Sequence, residues 1–197
     1  GRFVDSHPRG PELVALAERL QGPGLLAEAY WASGCTAFYA GNYGEACRCS
    51  ELGTRYHDRD ASIEFAKITQ QNSGPLNLAY HGMALWQLGF ADQGLAKHRE
   101  SLRMAEDLKH VFTLQMTYWK VSQTYGFARL PHETIEFAQR CRKIADEQGF
   151  AFWVALAIGE EGIAHKYLGR FKDAIEALRT TLAQLEATGS FIIFPKY

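Results

Sequence analysis

The chain has 197 residues, 47% of them hydrophobic and 22% charged, with 21 Lys and Arg against 22 Asp and Glu for a formal net charge of −1. That is enough apolar material for one sizeable core or several stacked small units, and it excludes a globally disordered chain. Balanced charge lacks the positive excess that phosphate neutralisation demands, so no nucleic-acid contact is expected, and no charge-free apolar run is long enough to span a membrane.

Residues 1–9 read as a leader, disordered or carried over from a vector or linker. The chain opens on Gly1 without a basic-then-apolar signal segment, and the expectation is a piece of a larger cytoplasmic protein. Its four cysteines, Cys35, Cys47, Cys49 and Cys141, are then ordinary reduced thiols. Apolar periodicity and turn residues predict helices over 10–20, 24–39, 43–55, 75–88, 91–108, 112–127, 131–148, 151–168 and 171–187. Gly41, Gly89 and Gly169 suit helix ends, Pro131 suits a first helical turn, and Asn42 with Glu45 has capping-box spacing. In the last helix Ile175, Leu178, Leu182 and Leu185 form one stripe. The stretch 56–74 resists the pattern: a short helix around 61–69 fits it, but a lengthened helix terminus and an ordered turn are expected there.

Repetition organises the rest. LWQLGFADQGLAKHRESLRMAEDLKH (85–110) is echoed 40 residues later at 125–150 and again at 165–190, while an upstream copy lies 48 residues earlier. Small residues recur early in each first helix (Gly34, Gly82, Ser122, Gly162) and again in each second helix (Gly94, Thr134, Ala174). Two helices approach closely only where neither backbone carries bulk, so these positions are expected at the crossings. The units are placed at about 24–55, 75–110, 112–150 and 151–189. Residues 190–197 (beginning with Ser190) are expected to start a further unit, cut short. An amphipathic pair cannot bury its face alone, so neighbouring pairs should stack. The bland alternative is an ordinary helical bundle with accidental similarity.

The small residue early in the first helix, the second twelve residues on and the Gly-led turn between them resemble the tetratricopeptide repeat. The last unit, EGIAHKYLGRFKDAIEALRTTLAQLEATG (161–189), carries the resemblance best. A period of 40 departs from that family's usual 34 and would also suit HEAT or armadillo units. More narrowly, LNLAYHGMALWQLGFADQGLAKHRESLRMAEDLKH (76–110) and DEQGFAFWVALAIGEEGIAHKYLGRFKDAIEALRTTLAQLEATGSFIIFP (146–195) resemble the C-terminal repeats of large bacterial signalling ATPases. There an adenylate/guanylate cyclase or DNA-binding domain and an AAA-like ATPase module precede tetratricopeptide-like repeats. The resemblance implies an all-α fold, a right-handed α-α superhelix of helix hairpins, and a single repeat domain over 10–197.

No motif for chemistry survives inspection. The P-loop, dinucleotide and nucleophile-elbow patterns are missing, and His132-Glu133 lacks the second histidine of a zincin helix. Cys47, Cys49 and His57 have no second pair to complete a tetrahedral site, and Cys47 reads as a small core filler. Glu160 and Glu161, sequence neighbours on a helix, read as a solvated face. His81 is expected to make a local hydrogen bond at the Gly82 crossing. Neither cofactor nor metal nor catalytic residue is assigned, and the chain is read as non-enzymatic.

By the family's register the concave groove would be lined by first helices. The resemblance places there Trp31, Phe38 and Tyr39 (with Glu28 and Cys35), Met83, Trp86 and Gln87, Met116, Trp119, Gln123 and Phe127, and Ile163, Lys166 and Tyr167. Trp86 and Trp119 could equally be core. This surface is aromatic and nearly neutral, suited to an apolar segment of a protein or peptide partner, including other domains of the same chain. The expected function is therefore a non-catalytic interaction scaffold or sensor region of a cytoplasmic signalling ATPase. The alternative is a small-molecule effector domain using the same aromatic groove. Truncated solenoid ends would also be free to pair in dimers.

Overall fold

The computed structural model describes residues 9–22 and 24–189. Ten helices run through them: α1 (Gly10–Leu20), α2 (Leu25–Tyr39), α3 (Tyr43–Arg55), α4 (Arg59–Thr69), α5 (Ser73–Gln87), α6 (Ala91–Leu108), α7 (Val111–Phe127), α8 (Pro131–Gln148), α9 (Ala151–Tyr167) and α10 (Phe171–Ala187). No strand occurs among the described residues. Every predicted helix is present, with bounds within two residues. The leader, apart from Arg9, and the further unit expected at 190–197 lie outside the described residues.

The chain divides into two compact units between Thr117 and Tyr118, inside α7. In the first, α1 packs on α2, α2 pairs with α3 and α5 with α6, and α5 also lies against α2 and α3. In the second, α9 packs against both α8 and α10.

Tight reversals join the paired helices. Gly41, at φ +81°, donates its N–H to Phe38 O at 3.0 Å, and Asn42 N–H reaches Ala37 O at 2.9 Å. The same two bonds recur at Gly89–Phe90 and Gly169–Arg170, the Schellman arrangement that satisfies carbonyls left open at a helix end. The α7–α8 reversal makes them too, but on Arg129, held at φ +56°. Asn42 caps α3 by accepting from Glu45 N at 3.3 Å. The Glu45 carboxylate turns instead to Arg48, because Asn42 N–H is already taken by Ala37.

The recurring glycines Gly34, Gly82, Gly94 and Gly162 do lie at crossings. A Cβ on Gly82 would stand 2.8 Å from Gly94 O and 2.9 Å from His98 Nε2; one on Gly94 would stand 2.7 Å from Gly82 O. Forty-eight residues earlier, a Cβ on Gly34 would meet Ser50 Oγ at 3.0 Å and Ala46 O at 3.5 Å. Ala46 and Ser50 are the repeat equivalents of Gly94 and His98. In the last hairpin a Gly162 Cβ would meet Leu178, equivalent to His98, at 3.1 Å. The side chain filling the Gly82 crossing is thus His98, which is fully buried.

A second repeating contact ties two of the hairpins, α5–α6 and α9–α10, near the start of the first helix. Ser101 Oγ donates to Pro75 O at 2.6 Å, and Thr181 Oγ1, 80 residues on, donates to Ala155 O at 3.0 Å. In the α2–α3 hairpin the equivalent position is Gly53. There the Asn77 amide from α5 occupies the space a Cβ would take and donates to Ala27 O at 3.1 Å. The same carbonyl is satisfied, but by the neighbouring hairpin, which locks α5 onto α2.

Two expectations hold only in part. The short helix that fits 61–69 is present as α4, while the lengthened terminus expected in the same stretch is not: Asp58 Oδ1 accepts from Ala61 N at 2.8 Å, and Gln70 ends the helix at φ +59°. In α10 the buried row is Ala174, Thr181 and Leu185, whereas Ile175 is 51% exposed. Of the expected stripe Leu185 is buried and Leu178 and Leu182 are half-buried, so only Ile175 departs from it.

A candidate partner groove on helix α2

All four Trp lie on first helices, and in the first unit the first-helix aromatic residues form a continuous wall. Phe38 meets Tyr39 edge-on at 5.6 Å between ring centres, and Tyr80 at 5.9 Å. Cys35 Sγ donates to Tyr80 Oη at 3.1 Å. Phe38, Tyr80 and Met83 are core of this cluster, with Trp31, Tyr39 and Cys47 half-buried against it. Trp86 is half-buried and packs over Gly94, while Gln87 is exposed.

Beside that wall lies a groove of about 280 Å³ whose floor is α2. Leu13, Leu16 and Leu20 of α1 form one bank, and Phe65 and Thr69 of the extra helix α4 form the other. The leucines fall at i, i+3 and i+7, one face of α1, and remain 41, 42 and 61% exposed. Two predicted residues, Glu28 and Trp31, lie one turn apart on the floor. Glu28 Oε1 and Trp31 Nε1 are both buried without a hydrogen-bond partner. Such atoms cost of order 1–3 kcal/mol each when nothing pairs with them. Burial raises the Glu28 carboxyl above its ordinary range, against the pull of the Ser73 hydroxyl and backbone.

A roomier cleft of about 440 Å³ lies between α1, α2 and α3, beside Glu18, Tyr30 and Arg48. Its guanidinium is already committed: Arg48 grips Glu45 through two bonds of 2.8 and 2.6 Å. It presents paired charge, where the α2 groove presents apolar banks over a floor in which Glu28 Oε1 and Trp31 Nε1 are buried unpaired.

In the second unit Trp119 is 4% exposed and meets Trp153 edge-on at 5.4 Å. Lys120 is 1% exposed, with Nζ 4.1 Å from the Trp119 ring centre. Gln123 is buried, Ile163 half-buried, and Phe127, Lys166 and Tyr167 exposed; Lys166 Nζ stands 4.5 Å over the Tyr167 ring. Met116, in the first unit, is buried. The solvated-face reading of Glu160 is corrected: its side chain is fully buried, because α9 is buried on all sides from Ala155 to Glu160. Glu161 is half-buried, 3.6 Å from Arg142.

Among the described residues no group of three or more His, Cys, Asp or Glu side chains converges as metal ligands would. The Cys49 thiol, buried and donating to Glu45 Oε1 at 3.3 Å, is pushed up to about 12, the reverse of an activated nucleophile. No described helix is long and apolar enough to cross a membrane. Sequence reasoning named Glu28 and Trp31 but missed the α1 and α4 banks; the signal available was the leucine spacing of α1 and the Asp58 cap of α4. No family model matches the chain, and no curated protein is significantly similar to it.

Proposed function

We propose that the chain is a non-catalytic interaction module. Its hairpins stack as a right-handed superhelix of tetratricopeptide type, and the α2 groove receives an apolar segment of a protein partner, another domain of the same polypeptide included. The parent is a cytoplasmic signalling ATPase, on the resemblance of 76–110 and 146–195 to such proteins. The observation that carries the reading is the groove itself: an exposed leucine row facing Phe65 across a floor with two unpaired polar atoms. Immobilised protein and its Leu16→Asp variant are compared as baits. A stoichiometric protein retained by the first and lost by the second supports the reading; identical eluates refute it.

A second reading, a small-molecule effector site, draws on the modest volume of the groove and its Trp31 wall. Ligand entry would change the Trp31 emission, so emission unmoved across a metabolite panel counts against it.

A further inference from the structure

The α2 groove also specifies what its occupant carries. Glu28 is the one charged side chain among the described residues that line it, and the remaining surroundings are mostly Leu, Ala, Phe and Trp carbon. A carboxylate oxygen buried there without a donor lacks what a cation supplies. The neighbouring Trp31 Nε1 can only donate, and lacks an acceptor oxygen. Glu28 and Trp31 are three residues apart on one helix face and line the same groove, so a single occupant lies against both side chains. A peptide segment brings both partners: a basic side chain for Glu28 and a carbonyl or hydroxyl oxygen for Trp31. The row Leu13, Leu16, Leu20 runs on along α1 as apolar rim, the footprint of a helix laid in a groove rather than of a compact metabolite.

We propose that the groove binds an apolar helical segment of a protein partner through one lysine side chain, whose ammonium pairs with Glu28 while the apolar face covers the leucine row. This rests on the interaction-module reading and adds the chemistry of its anchor. Burial of Glu28 strengthens the case, since a desolvated carboxylate gains most from a counter-ion delivered into the same dry site.

The test uses two labelled, end-capped amphipathic peptides of about 15 residues, long enough to form a helix on the surface. They are identical but for lysine or norleucine at one position of the leucine-rich face. Fluorescence anisotropy is read on the wild type, Glu28→Gln and Trp31→Phe, each first shown by its thermal melt to be folded. The expected result is tighter binding of the lysine peptide by about tenfold or more, a preference worth ~1.4 kcal/mol. In Glu28→Gln that preference falls to within about twofold, while the norleucine peptide is unaffected. Trp31→Phe weakens both peptides alike and leaves the preference intact. Equal binding of both peptides to the wild type, or a preference that survives Glu28→Gln, overturns the lysine anchor and leaves the groove reading standing. Failure of both peptides to bind removes the groove reading and the anchor together.

Discussion

Adding one methyl group at Gly82 tests the reciprocal approach of α5 and α6. Its Cβ would lie 2.8 Å from Gly94 O and 2.9 Å from His98 Nε2, well inside the 3.4 Å at which ordinary carbon contact begins. The first of these is backbone and cannot rotate away, so the helices must separate. Alanine is the better helix former by about 1 kcal/mol, which opposes the effect. Overpacking in a close-packed interior costs about 1–3 kcal/mol. Net destabilisation of roughly 1–2 kcal/mol is expected for Gly82→Ala. Two controls separate the terms. Gly44 lies in α3 with nothing within 4 Å of a Cβ, so Gly44→Ala should be stabilised by up to ~1 kcal/mol through propensity alone. Gly162→Ala would meet the Ala177 and Leu178 side chains at 3.1 Å, and the leucine can shift. It should fall between the other two. Urea midpoints followed by far-UV circular dichroism, at unchanged slope, give the order Gly44→Ala, Gly162→Ala, Gly82→Ala from most to least stable. A Gly82→Ala protein as stable as Gly44→Ala would refute the close-crossing account of the repeat.

Ser101→Ala removes the bond to Pro75 O inside a buried crossing and should cost about 1 kcal/mol in a urea titration, with Thr181→Val similar in the last hairpin. Arg129→Gly relieves a left-handed residue at the α7–α8 reversal and should raise the midpoint by up to ~1 kcal/mol, provided the guanidinium 5.9 Å from the Tyr167 ring contributes little. Burial lowers the His81 pKa below its ordinary 6.5, with Lys97 acting in the same sense and Glu51 and Glu100 against it. The unfolded chain therefore takes up the proton first, and this contribution, complete above pH 6.5, is lost as pH falls through that value toward the folded pKa. Between about pH 7.5 and 5.5 the wild type should lose stability relative to His81→Gln; parallel pH profiles would contradict the assignment.

The sequence discloses the hairpins because their punctuation is local. Gly41, Gly89, Gly169 and Pro131 act within a few residues of where they stand, and the recurring small residues announce the crossings at a fixed spacing. It discloses less where a helix is surrounded. Apolar-face reasoning presumes one wet side, and α5 and α9 have runs without one: Ser73–Tyr80 and Ala155–Glu160 are buried throughout. There Glu160 looked like surface. In α10 the opposite error is confined to Ile175, a bulky apolar residue read as buried where its small neighbour Ala174 is the buried one. Of the groove, Glu28 and Trp31 were reachable because register placed them. The α1 and α4 banks were not, since α1 precedes the first repeat that could be aligned and α4 belongs to none.

That last failure bears on the proposed function. In a perfectly periodic array every hairpin offers its neighbour the same surface, and no position is singled out for a partner. The eight residues by which the first interval exceeds the others accompany α4, whose Ala61 lies against Gly24 and whose Phe65 closes the groove over α2. At the α2–α3 hairpin the internal tie is also missing its side chain, and Asn77 supplies it from α5. Both departures from the repeat therefore fall on α2: one fixes it to the next hairpin, the other walls its outer face. A site can be built there without disturbing the crossings that hold the other hairpins. Shortening Arg59–Thr69 to a tight turn should accordingly leave the α5–α6 and α9–α10 crossings folded while abolishing binding of the lysine peptide. Loss of cooperative unfolding in such a deletion would instead make α4 part of the core.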